Sequence, residues 1–509
     1  MGDNMALTVK CSGVACCEKV FEYSMPCEEA AETVVPDTLP DVERVLYAGG
    51  TVFLRGKEAA EGSVSVTGQV NATVLYAPEG GEGACTLGAP VQLALTLDAP
   101  GVTPDCPVTA LLTVASVDAK PLNPRKLLIR AVVNVSVECR KPSSVELASG
   151  LEGEEAEQVE TLCVRRVISP VICVKEKTFA VSDEYQLQPG LLPLGELLWY
   201  AAEPVPGTLR TVGSRLIFSG SLRVSALYAA EGSGELCSAD FESEFSQMLD
   251  LDAEFTNGDF ELRTMLTAAY VEPATLAGGE RGISAEFHLV TQCVCSDSLS
   301  VDCLTDCYSN FFELEPVRTG AETCRVQRRT TLRGSVSEIL PASPTPVNIC
   351  RAICSVGVAE CENGALRCPV ELTAIYLAAD GEIYSVRRRV SCETPAELAQ
   401  GDCAVSVTAR CAECGAGITQ GGVELRASVD FELAAARRES FEQISAVTLT
   451  EEAEKAPRPS VTVVRAGADD TLWSLAKRCR STGALIKELN ALEDAAPLAG
   501  RVLLIPAAR

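Results

Sequence analysis

The chain has 509 residues, of which 47% are hydrophobic and 22% are charged, and its formal net charge is −27. This apolar fraction is enough to build buried cores, which excludes global disorder, and the length accommodates about three to four domains. The negative charge disfavours nucleic acid and anionic membranes as partners, because both require clustered Lys and Arg side chains.

The N-terminal segment has neither the basic start nor the apolar stretch of a secretory signal. The chain also lacks the run of about 18 apolar residues that a membrane-spanning helix requires. We therefore expect a soluble protein made in a cytosol. Its 24 cysteines are unusual there, since cytosolic proteins rarely hold disulfides. Either they serve as small core residues, as Cys139, Cys293 and Cys295 do within strand patterns, or they cross-link later in an assembly.

Residues 15–140 are predicted to form the first of three repeats. A short helical turn at residues 41–46 precedes a strand over residues 64–76, whose alternate positions are apolar, as in a half-buried strand. Leu75 alone breaks this alternation. Pro78-Glu79-Gly80 predicts a hairpin after the strand, since Gly adopts the positive φ of tight turns. A closing strand is predicted at residues 127–137.

The strand pattern of residues 64–76 recurs twice, over residues 216–228 and 368–376, and its copies end at Tyr76, Tyr228 and Tyr376. The two shifts along the chain are nearly equal, which indicates three copies of one domain. We place these copies at residues 15–140, 165–298 and 308–437. Strands separated by turn signals predict a mainly β fold of three antiparallel, β-sandwich-like repeats. The single histidine, His288, lies on the polar side of a closing strand, where an ordinary surface role is expected.

Two charged stretches separate these parts of the chain. Residues 150–160 are acidic and are predicted to be a solvated linker. Residues 451–460 carry charges and prolines without an apolar period, which is typical of a second linker.

Residues 461–507 differ from the repeats and predict a β-α-α-β module. Residues 461–465 alternate as a short strand, and Asp469 or Asp470 is expected to cap the first helix. Apolar positions in that helix follow the helical period. Ser481 or Thr482 is expected to cap the second helix, with Leu485 and Leu489 on its apolar side. Residues 500–506 end the module as a strand.

This module resembles the LysM domain family. The matching residues are Gly467, Asp470, Thr471, Leu472, Trp473 and Asn490, followed by Leu504-Ile505-Pro506. The resemblance implies that the first six line a partner-binding or glycan-binding surface. The loop before the first helix departs from the family pattern, because Ala468 and Asp469 separate Gly467 from Asp470. For Trp473, a packing role and a ligand-contact role are equally open.

The repeat strand and its turn, Tyr76-Ala77-Pro78-Glu79-Gly80 and its copies after Tyr228 and Tyr376, resemble the SPOCS domain of clostridial sporulation proteins. Repeated SPOCS domains followed by one LysM domain are the architecture of the SipL-like family of spore-coat morphogenesis proteins. The resemblance implies a scaffold in the mother-cell cytoplasm, at the forespore surface and in the spore coat. It also implies that the LysM domain docks to the coat-basement ATPase while the repeats engage other coat proteins.

No constellation of residues predicts catalysis, a cofactor or a metal site. One histidine leaves no obvious Ser/His/Asp triad and makes an HExxH zinc motif impossible. Cys411 and Cys414 have CxxC spacing, but a second such pair is missing. The leading hypothesis is therefore a non-enzymatic adaptor. The alternative is a protein that binds peptidoglycan, an N-acetylglucosamine polymer, through the LysM domain.

Overall fold

The body of the protein is built from long antiparallel strands. The computed structural model describes residues 5–81, 83–452, 459–493 and 497–508. Within these residues every paired strand is antiparallel, and both α-helices lie near the C-terminus. The expectation of a mainly β fold with a small α+β module is confirmed.

The first unit of the body spans strands β1 to β6. They are β1 (Met5–Val34), β2 (Val42–Ala60), β3 (Ser63–Pro78), β4 (Cys85–Asp98), β5 (Val108–Asn123) and β6 (Lys126–Glu152). They form two layers, β2-β3-β4 and β1-β6-β5. The alternate apolar positions of β3 and β6 face each other in one buried cluster, as their period-2 patterns predict.

The second unit spans strands β7 to β14. They are β7 (Val159–Ile168), β8 (Val171–Gln186), β9 (Leu194–Val212), β10 (Arg215–Ala230), β11 (Leu236–Asp250), β12 (Gly258–Thr275), β13 (Arg281–Asp297) and β14 (Leu299–Ser309). Its layers are β9-β10-β11 and β8-β13-β12, and β7 pairs with β14 as an extension.

The third unit spans strands β15 to β21. They are β15 (Phe312–Leu340), β16 (Pro346–Val356), β17 (Glu360–Glu362), β18 (Ala365–Ala378), β19 (Ile383–Pro395), β20 (Asp402–Thr419) and β21 (Gly422–Glu452). One layer is β16-β18-β19 with β17 beside β18, and the other is β15-β21-β20. The same two-layer plan therefore occurs three times within the described residues.

The C-terminal module contains four short elements. They are β22 (Val461–Arg465), α1 (Leu472–Cys479), α2 (Gly483–Asn490) and β23 (Val502–Pro506). The strands β22 and β23 pair with each other, so the predicted β-α-α-β order is confirmed.

The three units are interlocked. Residues 5–7 of β1 pair with β21, which joins a layer of the first unit to a layer of the third. Leu75, Leu227 and Ile375 occupy matching positions on β3, β10 and β18, and they meet in one buried cluster. Leu75, which breaks the alternation of its strand, is thus apolar because the outer side of β3 packs against the other units.

Two local predictions are wrong. Residues 41–46 are not a helical turn, because β2 begins at Val42 and pairs with β3. The solvated linker predicted at residues 150–160 is too long, because β6 runs to Glu152, β7 begins at Val159, and only a short connection with a 3-10 turn at Glu155–Gln158 lies between them. Of the second predicted linker, residues 453–458 lie outside the described residues.

Candidate functional site

The first helix of the C-terminal module begins at a threonine cap. The Thr471 hydroxyl oxygen accepts a hydrogen bond from the Ser474 N–H at 3.0 Å, and the Ser474 hydroxyl accepts one from the Thr471 N–H at 2.9 Å. This reciprocal pair satisfies two backbone donors that a helix start leaves free. The prediction of Asp469 or Asp470 as the cap is wrong, because Thr471 is the residue next to the first helical turn.

Asp470 instead closes the loop before α1. Its carboxylate accepts a hydrogen bond from the Gly467 N–H at 2.9 Å and lies 3.2 Å from Nη1 of Arg478. The bond from Gly467 and the Arg478 guanidinium together lower the pKa of Asp470. Gly467 and Asp470, two of the predicted site residues, are therefore in contact with each other.

Asn490 ties α2 to β23. Its Nδ2 donates to the carbonyl oxygens of Ile486 and Leu504, at 2.8 and 2.6 Å, and its Oδ1 accepts from the Leu504 N–H at 2.8 Å. Both ends of the amide are thus used within the module. Thr482 caps α2, as one of the two predicted caps. The prediction of Leu489 on the apolar side is wrong, because Leu489 is 46% exposed while Ile486 is fully buried.

Leu472 and Trp473 are the first two residues of α1. Both pack on the buried cluster of the module, and the Trp473 ring also contacts Tyr308 of β14. The indole Nε1–H donates to Oδ2 of Asp306 at 2.8 Å. The ring also packs edge-on against Tyr308, with 4.8 Å between the ring centroids. The structure therefore places Trp473 between the module and the second unit.

Asp306 accepts hydrogen bonds from three side chains at this contact. Besides Trp473, its carboxylate accepts hydrogen bonds from Nζ of Lys477, at 2.7 and 2.8 Å, and from Nη2 of Arg318, at 3.1 Å. Burial alone would raise the pKa of Asp306, but the bonds from Lys477 and Trp473 outweigh it and hold the pKa below its usual value. Asp306 is therefore the charged centre of the contact.

Three further residues complete the surface that receives the module. The Tyr308 hydroxyl donates to the Ser481 carbonyl oxygen at 2.9 Å, and Nδ2 of Asn310 donates to the same oxygen at 3.1 Å. Nη2 of Arg480 lies 2.5 Å from a carboxylate oxygen of Glu313. We call Asp306, Tyr308, Asn310 and Glu313 the docking corner. The sequence did not predict it, because these residues lie more than 160 positions from the residues they contact in the module and carry no motif.

The three cysteines that were predicted to be small core residues do pack in the core. Cys139, Cys293 and Cys295 are fully buried, which confirms them as core residues. Burial raises the pKa of Cys139 to about 11, so its thiol stays protonated and unreactive at neutral pH. In the described part of the chain, no group of three or more Cys, His, Asp or Glu side chains is arranged to hold a metal ion.

Comparison with known proteins finds two domains in this chain. Residues 41–122 match the family described as "SipL, SPOCS domain", and residues 464–506 match the LysM domain family. Comparisons with curated proteins and with solved structures found no match. The chain thus combines a SPOCS domain, from β2 into β5, with a LysM domain at the C-terminal module. Both are non-catalytic binding domains, and together they fit a protein of sporulation with a LysM module suited to peptidoglycan.

The comparisons match the first unit and not the second or third, so repetition of the SPOCS domain remains a prediction. Among the residues that the structure describes, no helix is both long and apolar enough to cross a membrane.

Proposed function

We propose that this chain is a non-enzymatic adaptor of spore-coat morphogenesis, acting at the forespore surface in the mother-cell cytoplasm. In this proposal the body engages coat proteins, and the LysM module binds the coat-basement ATPase. The observation that carries it is the combination of one SPOCS domain and one LysM domain in the same chain. Both are binding domains, and the chain joins them into one molecule.

We further propose that the body is three SPOCS-like copies, at residues 15–140, 165–298 and 308–437. Each unit has the same two layers, and each has a buried tyrosine at the end of its central strand, namely Tyr76, Tyr228 and Tyr376. Three like surfaces on one body would make the adaptor multivalent, which strengthens binding to an array of coat proteins.

The surroundings of His288 are those of a surface residue. Its Nε2 lies 2.8 Å from a carboxylate oxygen of Glu286, two residues away on β13. Its ring packs edge-on against Tyr270, which is 65% exposed. This is a surface pairing along one strand and its neighbour, and no serine or cysteine nucleophile is among these contacts.

The proposal is tested by deleting residues 461–509 from the chain fused to a fluorescent protein. We expect the full chain to gather around the forespore and the deleted chain to spread through the mother cell. The purified basement ATPase should also capture the full chain in a pull-down and fail to capture the deleted chain. The full-length fusion with Tyr270→Ala, a change on the exposed face of β12, is the control. Unchanged localisation and ATPase capture after the deletion would contradict the proposal.

A second candidate function is binding of peptidoglycan through the same module, which the match to the LysM family favours. The full chain would then sediment with insoluble peptidoglycan, and the chain lacking residues 461–509 would not. Sedimentation of both chains to the same extent would remove this candidate. The two candidates are separated by which purified partner, ATPase or peptidoglycan, captures the full chain.

A further inference from the structure

We infer that the docking corner is a binding surface for the chain's own LysM module, and that Trp473 is the positioning residue through which the module is held. The module is then a docked part of the body rather than a freely tethered head. A ligand that requires the Trp473 face of α1 would have to displace Asp306 and Tyr308 first.

The polar half of the contact is specific in its geometry. Asp306 is only 19% exposed at its side chain and accepts from both Trp473 and Lys477, which are one helical turn apart on α1. Because both donors lie on α1, their bonds to this one carboxylate fix the orientation of the helix as well as its position. Arg318, on β15, also donates to Oδ1 of Asp306 and helps to hold this carboxylate in place.

The apolar half of the contact is Tyr308. It is 6% exposed, and it belongs to the same buried cluster as Leu475, Ile486 and Leu503 of the module. A residue of the body thus completes the core of a module that has few core residues of its own. A freely tethered module would expose this side, and removing such apolar surface from water favours the docked state.

The electrostatics at the rim agree with docking. Arg480 pairs with Glu313, and Lys477 pairs with Asp306, so each ion pair joins a cation of the module to an anion of the body. The acidic residues of the corner therefore complement the basic residues of α1 and the turn after it.

The opposite side of the module stays free in the docked state. Val463 and Leu504 are directly paired on β22 and β23, and they are 64% and 42% exposed. Docking through Trp473 therefore hides one side of the module and leaves the other in solvent.

The test is a zero-length cross-link in the intact chain. A carbodiimide activates the Asp306 carboxylate, and the Lys477 amine attacks it to form an amide, while the carbodiimide leaves as its urea. Because no spacer remains, only groups in contact are joined. Peptide mass spectrometry should find the joined Asp306 and Lys477 peptides in the unaltered chain. The pairs Lys10 with Glu152 and Lys175 with Asp252, both within the body, serve as internal standards.

Two substitutions test the roles of the aromatic residues. Tyr308→Ala removes the apolar anchor, and Trp473→Phe keeps a ring but removes the Nε1 donor. We expect each to lower the yield of the Asp306–Lys477 product, relative to the internal standards, by about fivefold or more. Tyr270→Ala, at an exposed tyrosine of β12 that is not part of the docking corner, is the matched control and should leave the yield unchanged.

An equal mixture of unlabelled and ¹⁵N-labelled chains separates two forms of the contact. Products of one isotope alone support docking within a chain, whereas mixed products would show that the corner holds the module of another copy and would overturn the inference. Absence of the product in the unaltered chain, with the internal standards formed, would also overturn it. So would yields that neither Tyr308→Ala nor Trp473→Phe changes.

Discussion

Leu75 and Tyr76 are neighbours on β3 whose side chains point to opposite sides of the strand, and both are fully buried. Tyr76 lies in the core of the first unit, and its hydroxyl donates to the Pro40 carbonyl oxygen at 3.1 Å. Tyr228 makes the matching bond to Leu192 at 2.8 Å. Leu75 faces the other units instead. Their burial gives both tyrosines a packing role.

At the residue scale, Leu75→Ala should destabilise the whole body. The side chain is fully buried where three units meet, so its removal leaves a cavity that no single unit can close. We expect a loss of about 2–5 kcal/mol in the free energy of unfolding, measured by urea denaturation. Leu122→Ala, at a leucine that is 48% exposed, is the control and should change it by less than about 0.5 kcal/mol. Equal small effects of both substitutions would show that the cluster does not hold the units together.

At the element scale, a strand can be stabilised by hydrogen bonds to strands of another unit, whereas a short helix needs its end caps for stability. β1 is 30 residues long because it pairs first with β21 and then along the whole of β6. The helix α1 has only eight residues, and its backbone hydrogen bonds lie within the helix and at its ends. Helices this short are marginal without tertiary contacts and end caps. The Thr471 cap and the contact with the docking corner both act on α1.

The cap leads to a prediction for Thr471→Ala. The change removes the acceptor for the Ser474 N–H, so the first turn of α1 should open more readily. We expect a loss of about 1 kcal/mol in local stability, within the range for helix caps. Hydrogen exchange of the α1 amides, followed by mass spectrometry, should become faster while exchange in β6 stays the same. Thr462→Ala, on the exposed part of β22, is the control. Unaltered exchange in α1 would mean that docking alone holds the helix.

At the scale of the whole molecule, ion pairs join every pair of units. Glu138 of the first unit meets Arg263 of the second at 2.5 Å, and Asp240 of the second meets Arg351 of the third at 2.6 Å. Asp118 of the first unit pairs with Arg387 of the third. Each charge is placed against its partner only when the units are assembled.

The pH dependence of stability follows from the Glu138 pair. Burial would raise the pKa of Glu138, but Arg263 and then Arg140 lower it below its ordinary value. Since the folded pKa is the lower one, the stabilisation is fully present above the unfolded pKa of about 4.3 and is lost as pH falls through the folded value. We expect thermal unfolding temperatures to fall steeply below about pH 4.

Glu138→Gln tests the origin of this slope. It should cost about 1–3 kcal/mol at pH 7, because Arg263 would lose one of its two carboxylate partners and keep only Glu261, and it should flatten the acid slope. Glu28→Gln, at a residue whose side chain is 60% exposed and pairs loosely with Arg130, is the control. An acid slope identical in the Glu138 variant and the unaltered chain would assign the effect to other carboxylates.

Local patterns in the sequence determined the strands, their inward faces and the order of the C-terminal module. The alternation of residues 64–76 and the glycine of the following turn, which has φ of 65° at Gly80, need only their own neighbours to be interpreted. The same is true of the apolar face of α1. The helical turn predicted at residues 41–46 is wrong because their pairing partner, β3, decides their conformation.

Only the tertiary structure decided what the misfits and the site residues do. Leu75 meets residues that lie about 150 and 300 positions away in the chain, and Trp473 meets Asp306 at a separation of 167. Such contacts form when the folded units pack against one another, and they cannot be predicted from a local period or motif. The sequence therefore determined that the chain carries a LysM-like module after a β-rich body, through spacings that act within one element. Which residues meet the module was decided by the fold, because the half-buried Asp306 carboxylate and Tyr308 of β14 are brought to α1 only when the body is assembled.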